Sequence, residues 1–470
     1  MNRPHKVLLA VSLIAGVGGN LLAQVKTPDD ASQSQVSSIG ASLRNARSAG
    51  QRPVHILYIH GIGATEAGDS RTLQKSICAY LNDCIPKKPT ADPVATDYAE
   101  GGEFEYGAKP PALEYMGQPV WANSEEWNAS APFVDHYVLR RSQGGPIVVD
   151  EINWGPLVFS LKCRQIMAGE TELAGPDKTL LNLCSKREKD AHNPIRFRYY
   201  PWIDAADATK LEARRPKGAL FNRSLKTGLL DWGFSDAIMA VGPMRALFRE
   251  AMRQLFAKSA SFNADGSETN EWERQLTEHG TDREFIVVSH SLGSYLVFST
   301  LEDQKCALPT DAPTPPQSGA ATPESATEDR ATEYVLERTS LVYFLANQVP
   351  LLELATLGRP RPAGSAQTNG PTAPAAAGAL SAPMRCWSNL PRTFGDRHVI
   401  AFSDPSDLLS WQLPETNGLT MDGLTIENRY VRNALWHWLI ARPGVAHIDY
   451  AKNKQVLRVM LGPKASGEQR

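Results

Sequence analysis

The chain has 470 residues, of which 42% are hydrophobic, and a formal net charge of −2. This length holds one large domain or two ordinary ones, and the apolar content excludes a chain that is disordered throughout. There is no basic excess to attract a phosphate backbone, so nucleic acid is excluded as a partner.

Arg3 and Lys6 precede an apolar run from Val7 to Ala23 that is broken by Gly16, Gly18, Gly19 and Asn20. A short run with a glycine-rich second half and the ending Leu21-Leu22-Ala23 predicts a signal peptide over 1–23, cleaved before Gln24. The mature protein is then exported, to a periplasm or to the outside; an uncleaved N-terminal membrane anchor is the alternative reading. No other segment approaches the roughly 20 apolar residues that a spanning helix needs. The six cysteines of an exported chain predict disulfides. Local pairs Cys78–Cys84 and Cys163–Cys184, with a longer link Cys306–Cys386, form the simplest of several arrangements. No CxxC or Cys/His cluster has metal spacing, so a zinc site is not expected.

Residues 24–50 are small and polar and read as a flexible lead-in to a domain over 51–465. Val54–Ile59 is a β-branched and aromatic run, hence a buried strand, and His60-Gly61-Ile62-Gly63 follows it directly. Asp69 is placed to cap a helix that carries Leu73, Ile77, Tyr80 and Leu81 on one side. The Pro- and Gly-rich stretch 85–145 reads as surface loops and short strands, and a core strand follows over Ile147–Trp154. Residues 157–283 are too long for one crossover. They contain an amphipathic helix over Ala237–Phe256, which either caps the site or lies on a sheet face.

The run Phe285-Ile286-Val287-Val288 is another buried strand, and an apolar helix begins after Ser289-His290-Ser291-Leu292-Gly293. The tracts 307–332 and 359–383 are rich in Pro, Ala, Thr and Ser and are expected to be disordered surface loops. Between them Leu341–Leu345 is a strand, and His398–Phe402 is the next, running into Ser403-Asp404-Pro405-Ser406-Asp407. A last strand over Leu424–Val431 leads through an apolar stretch holding His437 to the loop Ala441–His447, then to a terminal helix over Lys452–Leu461. Strands alternating with helical patterns predict a mostly parallel central sheet flanked by helices.

A serine on a sharp strand-to-helix turn needs small neighbours, a base beside it and a carboxylate to orient that base. HGIG at 60–63, VVSHSLG at 287–293, FSDPSDLL at 402–409 and AHIDY at 446–450 supply these features in order. On these segments the chain resembles the serine esterases and lipases of the α/β-hydrolase superfamily. The resemblance implies an α/β-hydrolase fold and leaves unassigned the helical insertion over 157–283, before the nucleophile strand, and both low-complexity tracts. It makes Ser291 the nucleophile, His447 the base, and the amides of Leu292 and Ile62 the oxyanion hole. Ser289 stands where that pattern has glycine. The acid is Asp407 or Asp404; Asp407 is favoured, because Asp407-Leu408-Leu409 fits the ending of an acid-bearing turn and Asp404 precedes Pro405 as a turn opener.

The activity implied is hydrolysis of carboxylic esters with no metal or organic cofactor, on a small-molecule substrate or on a lipid ester, which would bring contact with a lipid or membrane surface. A thioesterase or acyltransferase could use the same residues, and a non-catalytic interaction protein on the same fold is the alternative class.

Overall fold

Runs of Val, Ile, Tyr and Phe bury well on both faces of a pleated sheet, and Val54–Ile59, Phe285–Val288, Leu341–Leu345 and Val399–Phe402 each lie inside a strand. The computed structural model describes residues 38–48, 53–62, 68–82, 84, 97–99, 112–142, 145–166, 184, 233–261, 283–303, 323–356, 382–413, 419–421, 423–433 and 443–462. In chain order the first elements are α1 (Ile39–Ser48), β1 (Val54–Ile59), α2 (Arg71–Leu81), β2 (Asp97–Ala99), β3 (Glu114–Tyr115), β4 (Gln118–Pro119), α3 (Ser124–Ala129), β5 (Phe133–Leu139) and β6 (Ile147–Asn153). Then come α4 (Pro156–Leu161), α5 (Ser235–Val241), α6 (Arg245–Ala260), β7 (Glu284–His290), α7 (Leu292–Asp303), α8 (Pro323–Glu337), β8 (Thr339–Leu345) and α9 (Val349–Glu353). The last are α10 (Ala382–Asn389), β9 (Arg397–Ser403), β10 (Leu419–Met421), β11 (Leu424–Tyr430), α11 (Pro443–Ile448) and α12 (Lys454–Leu461).

The result is a mixed α/β structure. Nine strands form one sheet in the order β10-β11-β9-β8-β7-β1-β6-β5-β2. Strands β11, β9, β8, β7, β1 and β6 are mutually parallel, and antiparallel strands border them, β10 on one side and β5 and β2 on the other. From β1 the chain builds the β6 side, then crosses back to β7 and continues to β8, β9 and β11. The strand order therefore reverses between β1 and β7. Open α/β sheets place ligands beyond the carboxyl ends of the strands at such a reversal.

Helix α7 is apolar nearly all round, with Leu292, Tyr295, Leu296, Val297, Phe298 and Leu301 all buried. It needs this composition because the sheet lies on one side and α6 and α10 on the others. Each large side chain buried there stabilises the fold by about 1.5–3 kcal/mol.

Several expectations need correction. Residues 39–48 are helical, and Ile39, Leu43 and Ala46 are buried, with α1 packed on α12; the lead-in is shorter than its polarity suggested. The stretch 85–145 contains β5, a core strand buried along its whole length, as well as the buried Trp121 and Trp127. The amphipathic segment 237–256 is two helices, α5 and α6, broken where Pro243 lacks an N–H to donate. Helix α6 lies with α7, α8 and β5. Helix α8 begins at Pro323, inside the tract expected to be disordered, and α10 begins at Ala382, inside the second one. The signal segment 1–23, most of 157–232 and the remainder of the two tracts lie outside the described residues.

Disulfides Cys78–Cys84 and Cys163–Cys184 are formed. Cys306, in the third pair considered, lies outside the described residues. Two bridges are what an oxidising compartment sustains. Among the described residues no helix is long and apolar enough to cross a membrane.

The start of α2 also differs from expectation. Asp69 does not cap it; its carboxylate accepts a hydrogen bond from the Tyr58 hydroxyl at 3.1 Å. The amides of Gly68, Asp69 and Ser70 donate instead to the buried carboxylate of Glu151 on β6, at 2.7, 3.2 and 2.9 Å, and the Ser70 hydroxyl joins them at 2.5 Å. Burial outweighs these donors and pushes Glu151 up from its ordinary 4.5 to about 7. The folded state then holds a proton that the unfolded state has released. Stability contributed at this site falls as pH rises from about 4.5 to about 7 and is level above that. Thermal melts across this range should show the loss in the wild type, whereas Glu151→Gln should not show it. Parallel pH profiles for the two proteins would disprove the assignment.

Candidate active site

Strand β7 ends at His290 and so delivers Ser291 to the carboxyl edge of the sheet. Ser291 has φ +54°, a left-handed conformation that a side chain rarely adopts and that costs on the order of 1–3 kcal/mol. Two backbone hydrogen bonds hold it there: Ser291 N–H donates to the Leu345 carbonyl at 2.7 Å, and Ser294 N–H donates to the Ser291 carbonyl at 3.0 Å.

Two glycines make the turn sterically feasible. A Cβ on Gly293 would lie 2.7 Å from the carbonyl oxygens of both His60 and Ile59. A Cβ on Gly61 would lie 2.7 Å from both His290 Nδ1 and Ser291 Cβ. Gly293→Ala meets rigid backbone, so α7 must shift away from β1, and a loss of about 1–3 kcal/mol is expected despite the better helix propensity of alanine. Chemical denaturation checks this; an unchanged midpoint would show that the turn has slack. Ser289, where a glycine was looked for, is accommodated: its hydroxyl lies 3.4 Å from the Tyr343 carbonyl and 3.3 Å from Ser294 Oγ.

The other members arrive from sites remote in sequence. The Ser291 hydroxyl donates to His447 Nε2 at 2.7 Å. His447 Nδ1 donates to the Asp407 carboxylate, with Oδ2 at 2.9 Å and Oδ1 at 3.0 Å. The carboxylate obliges Nδ1 to carry the proton, which leaves Nε2 as the acceptor facing the serine. Asp407 also accepts the Leu409 amide at 3.0 Å and the Tyr450 hydroxyl at 3.2 Å. Ser291 is 0% exposed, Asp407 5% and His447 8%, so the three work in a water-poor setting where such interactions are strong.

Asp404 has different work. Its Oδ1 accepts the Ser406 amide at 2.8 Å and its Oδ2 the Asn433 amide at 2.6 Å. It does not reach His447 through any hydrogen bond; it closes the turn that presents Asp407, whose amide donates to the Asp404 carbonyl at 2.9 Å.

The two amide positions named for an oxyanion site also lie at this edge. Leu292 is the first residue of α7, where an N–H has no intrahelical acceptor. Ile62 follows β1 and packs partly buried against the core. The turn after β1 is stiffened by Trp154, whose indole donates to the His60 carbonyl at 3.0 Å and stacks on the His60 ring at 4.6 Å. Burial pushes His60 down to about 4, so it stays neutral there.

Sequence reasoning missed several supports. His447 lies in the short helix α11, not in a loop, and that helix is tied down by Asn433, whose side-chain amide donates to the Ala446 carbonyl at 2.6 Å. Asn453 caps α12 and also donates to Asn433 Oδ1 at 2.8 Å. An asparagine just beyond a strand gives no signal of such a role in the sequence. Tyr450 stood in the quoted AHIDY segment, and its hydroxyl, which accepts the Asp404 amide at 2.7 Å, joins both aspartates. His290 contacts the backbone carbonyl of His447, a partner that its place beside Ser291 in the chain does not announce. His437 lies outside the described residues.

Arranged in this way, Ser291, His447 and Asp407 can move a proton from a hydroxyl to an imidazole while a fixed carboxylate steadies the cation that forms. Compared with protein-family models, curated proteins and solved structures, the chain gives no match.

Proposed function

We propose that the protein is a serine hydrolase of the α/β-hydrolase type that cleaves carboxylic esters through an acyl-enzyme. The observation that supports this most directly is the continuous hydrogen-bonded line from Ser291 Oγ through His447 to Asp407, at 2.7 Å and 2.9 Å. In this reading Ser291 Oγ attacks the ester carbonyl carbon and its proton passes to His447 Nε2. The carbonyl oxygen becomes an oxyanion that accepts the Leu292 and Ile62 amides. Collapse of the tetrahedral species breaks the bond to the alkoxy group, which leaves as an alcohol with the proton from His447. Water then attacks the acyl-enzyme, His447 takes its proton, and the acid departs as Ser291 is regenerated. Asp407 remains a carboxylate throughout.

An exported location, by way of the N-terminal segment, fits this reading and agrees with the two disulfides. The substrate class is tested with p-nitrophenyl esters of increasing acyl length, alongside labelling by a fluorophosphonate probe. Labelling of Ser291 with turnover of at least one ester is the expected result. No labelling and no turnover would leave the non-catalytic interaction protein as the better reading.

A further inference from the structure

We propose that His290 is a positioning residue for the reaction, gripping the backbone of His447 so that the base stays within reach of Ser291; this rests on the hydrolase reading above. His290 Nε2 lies 2.8 Å from the His447 carbonyl oxygen. A carbonyl can only accept, so Nε2 carries the proton and donates it. His290 is the last residue of β7 and the neighbour of Ser291 in the chain, so the turn that presents the nucleophile also holds the base.

The contact closes a ring of interactions. One path runs from the Ser291 hydroxyl to the His447 imidazole, and the other returns from the His447 carbonyl to the His290 ring and its backbone. Helix α11 has six residues, too short to hold its own direction without such ties. Asn433 secures its Ala446 carbonyl, and His290 secures the next one. Gly61 supplies the room, because any side chain there would collide with His290 Nδ1 at 2.7 Å.

The choice of histidine also suits the chemistry. The His290 and His447 rings are 5.3 Å apart, so a cation at His290 would oppose the imidazolium that His447 becomes. Burial first, and the neighbouring His447 second, push His290 down to about 4, so it donates without charge at neutral pH. A lysine or arginine in its place would donate too, but would repel the working base.

The test uses the full-length protein and three variants, His290→Phe, His290→Asn and His290→Gln. The Gln amide nitrogen reaches about as far as the imidazole Nε2, whereas the shorter Asn amide and the Phe ring cannot donate to the His447 carbonyl. Kinetic constants on the best ester, fluorophosphonate labelling of Ser291, and the far-downfield proton resonance of His447 Nδ1–H are measured on each. For Phe and Asn, kcat should fall by about 100-fold with KM within about threefold, because the displaced group touches no substrate. Labelling should slow in step, and the downfield resonance should broaden or vanish. Gln should recover at least about tenfold of the loss and restore the resonance.

A Phe variant within about threefold of wild-type kcat, or Asn and Gln variants alike, would overturn the proposal while leaving the hydrolase reading in place. If Phe does not fold, the Asn and Gln pair decides. If the wild type neither labels nor hydrolyses any ester, the hydrolase reading fails. The resonance then decides whether His290 still orders His447, and its persistence in the Asn variant would refute even that.

Discussion

Replacing Ser291 with alanine should remove ester hydrolysis while leaving the protein folded, with a fall in kcat on the order of a million-fold. The hydroxyl is the group that would form the covalent bond, and nothing within hydrogen-bonding range of His447 Nε2 takes its place in the described contacts. Folding should survive because the turn is held by backbone hydrogen bonds to Leu345 and from Ser294, neither of which uses the hydroxyl. The left-handed conformation at this position penalises alanine and serine alike. Stopped assays with a p-nitrophenyl ester, together with a thermal melt, check both halves. Turnover above about a hundredth of wild type would show that another residue is the nucleophile.

Asp407→Asn should lower turnover by about ten-thousand-fold with the fold retained. An asparagine can present its amide to His447 Nδ1, and the imidazole then adopts the tautomer that has a proton, not a lone pair, facing Ser291. Asp404→Asn should behave differently. Its carboxylate accepts two amides, from Ser406 and Asn433, while 2% exposed, so the loss is one of stability, about 1–3 kcal/mol. Turnover of the folded Asp404 variant should remain within about tenfold of wild type, since Asp404 acts on the turn and not on the histidine. Measuring melting and turnover on both variants separates the roles. An inactive Asp404→Asn beside an active Asp407→Asn would reverse the assignment.

Local sequence was sufficient for the central parallel strands because a strand buried on both faces is largely apolar along its length, a property of a few consecutive residues. Val54–Ile59, Phe285–Val288, Leu341–Leu345 and Val399–Phe402 all announced themselves in this way, and each lies inside a strand of the structure. The turn at Ser291 was legible for the same reason, because small residues between a strand run and a helix run are a local pattern. Asp407 was favoured over Asp404 through the resemblance of Asp407-Leu408-Leu409 to an acid-bearing turn, whereas the contacts of Asp404 with the Ser406 and Asn433 amides belong to the structure.

What remained hidden depends on partners far away in the chain. Strand β5 carries Asp135 and His136, which look like loop residues until Asp150 of the adjacent strand is seen to accept from His136 Nδ1 at 2.5 Å. The amides at the start of α2 are held by Glu151, 81 residues from Ser70, and the carbonyl of His447 by His290, 157 residues away. Local sequence determined which segments were parallel strands, where the sharp turn fell and which side chains could do acid–base work. Tertiary structure alone decided which polar groups meet, because a buried donor is satisfied by whatever acceptor the fold brings beside it and not by its neighbours in sequence.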